Sequence, residues 1–167
     1  LEEAAAKLEC MQKENQENPK DAYCSEYSAN GYEIISEEQG SKIKKKALMT
    51  ALKEGIAGLK ETISLEEENC YAKPKITSDH EGLIQLVDTL NQYTGVVLTY
   101  DEGEKTQTLD GSITHNWMDI TDMQVSINEE KVAEYVDELA SVHNTVFRKH
   151  TLKTSYGETI DIVNGDY

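Results

Sequence analysis

Residues 96–109 read VVLTYDEGEKTQTL. Val96 to Tyr100 is rich in β-branched and aromatic side chains, the composition of a strand. Asp101 to Lys105 is polar and holds a glycine. Thr106 to Leu109 then returns to strand-forming residues. A connection this short joins antiparallel strands, because a parallel pair needs a crossover of roughly ten residues or more. Helical patterns flank the hairpin on both sides. The class that follows is α+β, with antiparallel hairpins or sheet packed with three to four helices.

Upstream, Leu83, Leu86, Val87 and Leu90 fall on one helical face, with Ser78 or Asp79 as the cap. Between Ile43 and Leu59 the apolar positions Ile43, Ala47, Leu48, Ala51, Leu52 and Ile56 keep the same period, and Ser41 is placed to cap that helix. Lys60 to Leu65 (KETISL) alternates and predicts a strand. Glu66 to Glu68 predicts a solvated turn, and Pro74 keeps its neighbourhood extended. The opening LEEAAAKLECMQKE predicts a helix over 1–14, ended by Asn15, Asn18 and Pro19. Its first residues resemble a helical spacer. Asp21 to Gly31 reads as a loop with a turn at Asn30-Gly31, followed by a short strand at Tyr32 to Ser36.

Downstream, Asp110-Gly111 marks a turn and Ile113 to Asp119 one helical turn. Met123 to Ile127 reads as a short strand. Asn128 caps the last helix, which carries Val132, Val136, Leu139 and His143 on one stripe. The final stretch, HNTVFRKHTLKTSYGETIDIVNGDY, predicts a hairpin of Thr151 to Thr154 with Thr159 to Val163 around Tyr156-Gly157. It stops on Gly165-Asp166-Tyr167 with no closing element, so we expect a single module, 1–167, of a longer protein, with 1–18 as an N-terminal helix.

The apolar supply is lean: 38% hydrophobic residues, one Trp, one Phe and a mean hydropathy of −0.61, so nine Tyr carry most of the aromatic area. The net charge of −16 opposes nucleic acid, whose binding needs clustered cations, and opposes anionic lipid. The basic cluster Lys42, Lys44, Lys45 and Lys46 reads as a solvated helix face. No apolar run reaches the ~20 residues that span a bilayer.

The patterns that carry chemistry are thin. Ser41-Lys42-Ile43-Lys44 matches S-x-x-K, in which a Lys one helical turn on activates a Ser, but neither S-D-N nor K-T-G accompanies it. A helix cap and a basic face account for the same residues. His80, His115, His143 and His150 share no metal-ligand spacing; His115 with Trp117 is the one pair placed to line a pocket. Asp101, Glu102 and Glu104 lack the alternating oxygen ligands of a Ca²⁺ loop and read as a solvated tip. We expect no catalytic residue, metal or cofactor in this chain. Cys10, Cys24 and Cys70 make an odd set, so one pair forms with a thiol left over, or all three are reduced. A Cys10–Cys70 bridge is favoured, since both follow acidic residues near element ends and the tie would pin the N-terminal helix to the body.

One resemblance spans nearly the whole chain. KVAEYVDELA at 131–140, Asn144-Thr145, TLKTSYG at 151–157 and Gly165-Asp166-Tyr167 resemble the peptidoglycan-binding domain that precedes YkuD-type L,D-transpeptidase domains and also occurs in VanW-like proteins of Gram-positive bacteria. PKDAY at 19–23, GYEII at 31–35, Ile63-Ser64-Leu65 and Cys70-Tyr71 with Pro74 are similar to the first half of such modules. His143, Leu152 and Asn164 depart from the pattern, and the family's catalytic Cys segment is absent, as that segment belongs to the following domain. The resemblance implies a non-catalytic module of a cell-wall cross-linking enzyme. It would bind peptidoglycan or position an adjoining transpeptidase domain, outside the cell, as a monomer, in a parent anchored by an N-terminal helix outside this chain. The alternative it implies is a structural or protein-interaction spacer on the cell surface. Glycan contact would fall to Tyr71, Tyr93, Tyr100, Tyr156 and Tyr167.

Overall fold

The Ala- and Glu-rich opening predicts a helix through Glu14. In the computed structural model, which describes residues 2–101, 106–144, 146 and 148–163, that helix ends after one turn: α1 spans Glu2–Ala5. Short 3-10 turns follow at Glu9–Met11 and Lys13–Asn15, set off by extended backbone at Leu8 and Gln12. The side-chain amides of Gln12 and Asn15 donate back to the carbonyls of Ala6 and Glu9, at 3.3 and 2.9 Å. Propensity alone holds a helix this short weakly. Cys10 and Met11 pack instead against a buried cluster, and packing overrides local preference.

The chain divides into two units, Leu1–Ser126 and Ile127–Tyr167. In the first, β1 (Tyr23–Cys24) pairs antiparallel with β2 (Ile34–Ile35), Tyr23 opposite Ile35 and Cys24 opposite Ile34. Part of the expected loop at 21–31 is therefore strand. Bridges between Lys20 and Glu38 and between Ser28 and Gly31 lengthen the hairpin at both ends. Two of its carboxylates serve the backbone. Asp21 Oδ1 accepts from the N–H groups of Lys75 and Ile76, and Glu37 Oε2 accepts from Ser78 N–H at 2.8 Å. These bonds hold the segment that leads into the next core helix.

α2 spans Lys45–Ala57 and α3 spans Glu81–Thr94. Neither expected cap is used. Lys44 and His80 occupy the N-cap positions, and neither makes a capping side-chain bond. α2 ends on Gly58, and Leu59 takes a left-handed φ of 51°. Lys60 N–H then bonds Gly55 O at 2.9 Å, closing a Schellman-type end. KETISL is not a strand. Glu68 N–H and Cys70 N–H return to Ser64 O and Leu65 O, so the segment is spent on a turn, while Ile63 and Leu65 pack inward.

β3 (Leu98–Asp101) and β4 (Thr106–Leu109) form the expected antiparallel hairpin, with Leu98 opposite Leu109 and Asp101 opposite Thr106. Residues 102–105, the expected tip and the Ca²⁺ candidate, lie outside the described residues. Asp110 caps α4 (Gly111–Thr114) by accepting from Ser112 N–H at 2.9 Å. β5 (Met118–Thr121), unanticipated as a strand, pairs with β6 (Gln124–Ile127). Their turn puts Asp122 and Met123 at φ 50° and 60°, the paired left-handed geometry of a type I′ hairpin, with methionine where glycine is usual.

Two buried clusters organise this unit. Leu83, Leu86 and Leu90 of α3 pack with Ala22, flanked by Cys24, Tyr32, Ile34, Met118, Met123 and Val125. The predicted face of α3 is thus the observed one. Leu83 and Leu90 are at most 2% exposed, and burial of each contributes about 2 kcal/mol. The second cluster joins Leu48 and Ala51 of α2 to Ile43 and Cys70, with Cys10, Met11, Ile63, Leu65 and Tyr71 against it.

The second unit holds α5 (Glu129–His143), whose cap Asn128 accepts from Lys131 N–H at 3.1 Å as expected. β7 (His150–Lys153) pairs antiparallel with β8 (Thr159–Ile162), His150 opposite Ile162. The terminal hairpin is where the sequence predicts it, and the class is α+β. Thr145, Phe147, Asn164 and the end Gly165-Asp166-Tyr167 lie outside the described residues.

Candidate functional site

Three extended segments run side by side in the first unit. Lys42 N–H bonds Glu17 O at 2.9 Å, and Ala72 N–H bonds Lys42 O at 2.7 Å. Lys44 N–H bonds Cys70 O at 2.7 Å, and Ile43 bridges Tyr71. The middle segment, 40–44, therefore holds 15–18 on one side and 70–72 on the other. Gly40 is what permits the first contact. A Cβ there would stand 2.3 Å from Glu17 O and 2.4 Å from Pro19 N, so only a residue without a side chain lets these backbones meet.

An open groove of about 720 Å³ lies over these segments. Glu17 lines one side, and Gln39, Gly40 and Ser41 line the centre. Glu66, Asn69, Tyr71 and Lys73 line the other side. A second depression of about 510 Å³ shares Glu17, Gln39 and Gly40 with it and adds Lys20 and Glu38, whose ion pair closes at 2.8 Å. Tyr71 is half-buried, its ring packed against the second cluster, while Glu17, Glu66 and Lys73 are exposed. Asn69 holds a φ of 51°, a conformation asparagine tolerates better than most residues. The lining combines carboxylates, one amine, amides, a hydroxyl and one aromatic ring. It can bind a polar ligand through hydrogen bonds and charge, with stacking on one ring.

Ser41 is not the cap the sequence predicts, nor is it arranged as a nucleophile. Its hydroxyl accepts from Glu17 N–H at 2.9 Å and donates to Asn15 O at 2.8 Å. Lys44 precedes the first turn of α2, so the two residues do not share a helical turn. Ser41 is a fastener for the 15–17 segment. His115, expected to line a pocket with Trp117, lines neither of these depressions. It stacks on Tyr27 with ring centroids 4.4 Å apart, and its Nδ1 lies 3.0 Å from Gly111 O. Among the described residues no group of three or more His, Cys, Asp or Glu is placed to hold a metal ion.

Of the tyrosines proposed for glycan contact, the groove takes Tyr71 and none of the other described ones. Tyr93 stands half-exposed on α3, Tyr100 partly buried on β3, and Tyr156 is 94% exposed in the turn between β7 and β8. Tyr167 lies outside the described residues. Cys10, Cys24 and Cys70 are all thiols in this structure, with Cys10 and Cys70 in the same cluster and Cys24 in the other. Burial pushes the Cys70 thiol up, and Glu68 beside it acts in the same direction.

Sequence reasoning missed Glu17, Gln39, Glu66, Asn69 and Lys73. Glu66 sits in the expected solvated turn and Lys73 beside the extended Pro74, while Gln39 and Asn69 fall between expected elements. Glu17 lies in the expected N-terminal helix region, which the structure breaks into short turns. Ser41, through the S-x-x-K spacing, and Tyr71, through the resemblance, are the groove residues the sequence singles out.

No protein-family model, no curated protein and no solved structure matches this chain.

Proposed function

We propose that this chain is a non-catalytic cell-wall module that binds peptidoglycan through the Tyr71 groove and so positions an adjoining transpeptidase domain of the same parent chain outside the cell. The observation that carries the reading is the groove itself, one tyrosine ring set among amide, hydroxyl and charged groups of both signs. Peptidoglycan offers matching chemistry: sugar faces to stack on an aromatic ring, N-acetyl amides, and short peptides with amines and carboxylates. Tyr71 would take a sugar face, Gln39 and Asn69 the amides, Glu17 and Glu66 an amine, and Lys73 a carboxylate. The order of motifs along the chain, which resembles the domain ahead of YkuD-type transpeptidases, points the same way.

Retention on purified sacculi at low salt tests it. The unsubstituted chain is expected to sediment with the sacculi and Tyr71→Ala to lose about tenfold in retention, since one stacked ring is worth about 1.4 kcal/mol. A chain that stays in the supernatant would overturn the reading and leave the spacer role in its place.

A further inference from the structure

We propose that Cys10 and Cys70 form a reversible disulfide that fastens the N-terminal segment along the groove. Roughly 60 residues separate the two in sequence, yet both thiols pack into the one small cluster built by Ile43, Leu48 and Ala51. Cys24 packs into the other cluster and has no part in the pair. Cys70 sits on a fixed frame, with its N–H bonded to Leu65 O at 2.8 Å and its carbonyl accepting from Lys44 N–H at 2.7 Å. Cys10 sits on a yielding one, a 3-10 turn in a segment of short turns with extended residues on either side. The adjustment to bonding geometry therefore falls on the Cys10 side.

The two ends connect directly to the groove. Cys70 precedes Tyr71, which lines one side, and the segment from Cys10 runs on to Glu17, which lines the other. In the thiol state, the second side is held by the exposed bonds of Ser41 and Lys42 and by the packing of Cys10 and Met11. The disulfide adds a covalent tie to that same side.

The thiols differ in a way that orders the chemistry. Cys10 is partly exposed and Cys70 is fully buried. Cys10, as thiolate, attacks one sulfur of a small-molecule disulfide such as oxidised glutathione. The disulfide bond breaks and one glutathione thiolate leaves. Cys70 then gives up its proton to solvent and attacks the Cys10 sulfur of the mixed disulfide, and the second glutathione thiolate leaves. The protein loses two protons and two electrons, and one oxidised glutathione becomes two reduced molecules. Burial and the carboxylate of Glu68 hold Cys70 protonated and slow the second step, so the mixed disulfide is expected to be observable.

The test is intact-mass analysis and thiol counting on the full chain after equilibration with oxidised glutathione, with peptide mapping of the bridge. The expected result is a mass lower by two hydrogens, one remaining thiol at Cys24, and a 10–70 cross-linked peptide that reductant dissolves. The oxidised form is expected to melt about 10 °C above the reduced form, as closure of a loop of this length predicts. Cys24→Ser should keep the bridge and the shift. Cys10→Ser, a near-isosteric change at a partly exposed site, should abolish both, with the melting point of its reduced form compared to that of the reduced unsubstituted chain to separate lost packing from the lost bridge. Three free thiols at every glutathione ratio, a bridge through Cys24, or equal melting of the two forms would each overturn the proposal.

Discussion

Replacing Gly40 with alanine tests how the groove is assembled. The added Cβ would lie 2.3 Å from Glu17 O, 2.4 Å from Pro19 N and 2.6 Å from the carbonyl carbon of Asn18. Ordinary contact between such atoms is about 3.5 Å or more, so the 17–19 segment has to withdraw by roughly 1 Å. All three neighbours are backbone, and no rotamer change relieves them. Forced overpacking of this kind costs about 1–3 kcal/mol. The withdrawal also pulls on two hydrogen bonds of 2.9 Å, Glu17 N–H to Ser41 Oγ and Lys42 N–H to Glu17 O. Water replaces part of each at this exposed edge, leaving a loss of about 0.5 kcal/mol apiece. The expected destabilisation is about 3 kcal/mol, or a Tm lower by about 6–12 °C for a chain of this size. Differential scanning calorimetry reads it, and sacculus retention should fall in parallel because Glu17 moves. A Gly40→Ala chain that melts within about 2 °C of the unsubstituted one and retains sacculi equally would refute this account of the groove.

Leu59 holds a left-handed φ while 90% exposed, so Leu59→Gly relieves strain without losing packing and should raise stability by about 0.5–1 kcal/mol in urea titration. Asn91 makes two 2.8 Å bonds to the backbone of Tyr32, accepting from its N–H and donating to its carbonyl. Asn91→Ala should cost about 2 kcal/mol, read as a lower urea midpoint at unchanged m-value. Glu37, Asp110 and Asp161 are held below the usual carboxylate range by hydrogen bonds: Glu37 from backbone N–H groups, Asp110 from the Ser112 hydroxyl first, Asp161 from Lys149 first. A depressed folded pKa gives stability that is present above the unfolded value, about pH 4, and lost as pH falls through the folded value. Thermal melts should therefore decline below about pH 4, and Asp110→Asn, which keeps the cap acceptor but cannot titrate, should flatten part of that slope.

The sequence shows its elements best where one face is buried. The period of Leu83, Leu86, Val87 and Leu90 predicts α3 because each of those residues enters a core. The hairpins at 98–109 and 150–162 are legible from strand residues on either side of a short polar connection. Expectations fail where tertiary contacts outweigh local preference. The opening 14 residues carry strong helix formers, but Cys10 and Met11 gain more from the α2 cluster than from a continued helix. KETISL alternates as a strand does, yet among the described residues no strand pairs with it, and its apolar residues reach the same cluster from a turn. Ser41 has the composition of a cap and is used as a fastener between two segments. The groove is the least legible part. Its residues come from three stretches brought together by backbone bonds, and no side-chain pattern in any one of them marks it. Asp21 and Glu37 show the same limit, since their charge reads as surface repulsion while their oxygens hold the backbone of the segment leading into α3.

The turn at Asp122-Met123 bears on the order in which the chain folds. A left-handed methionine is a poor turn former by itself, so the β5–β6 hairpin has little tendency to arise from local preference. What holds Met123 there is its place beside Leu83 and Leu86 and the start of α3. That support exists only once α3 has docked on the first hairpin. The hairpin is thus expected to close late, after the rate-limiting step, and truncating Met123 should speed unfolding while leaving the folding rate nearly unchanged. Slowed folding of Met123→Ala in stopped-flow measurements would place the turn in the nucleus instead.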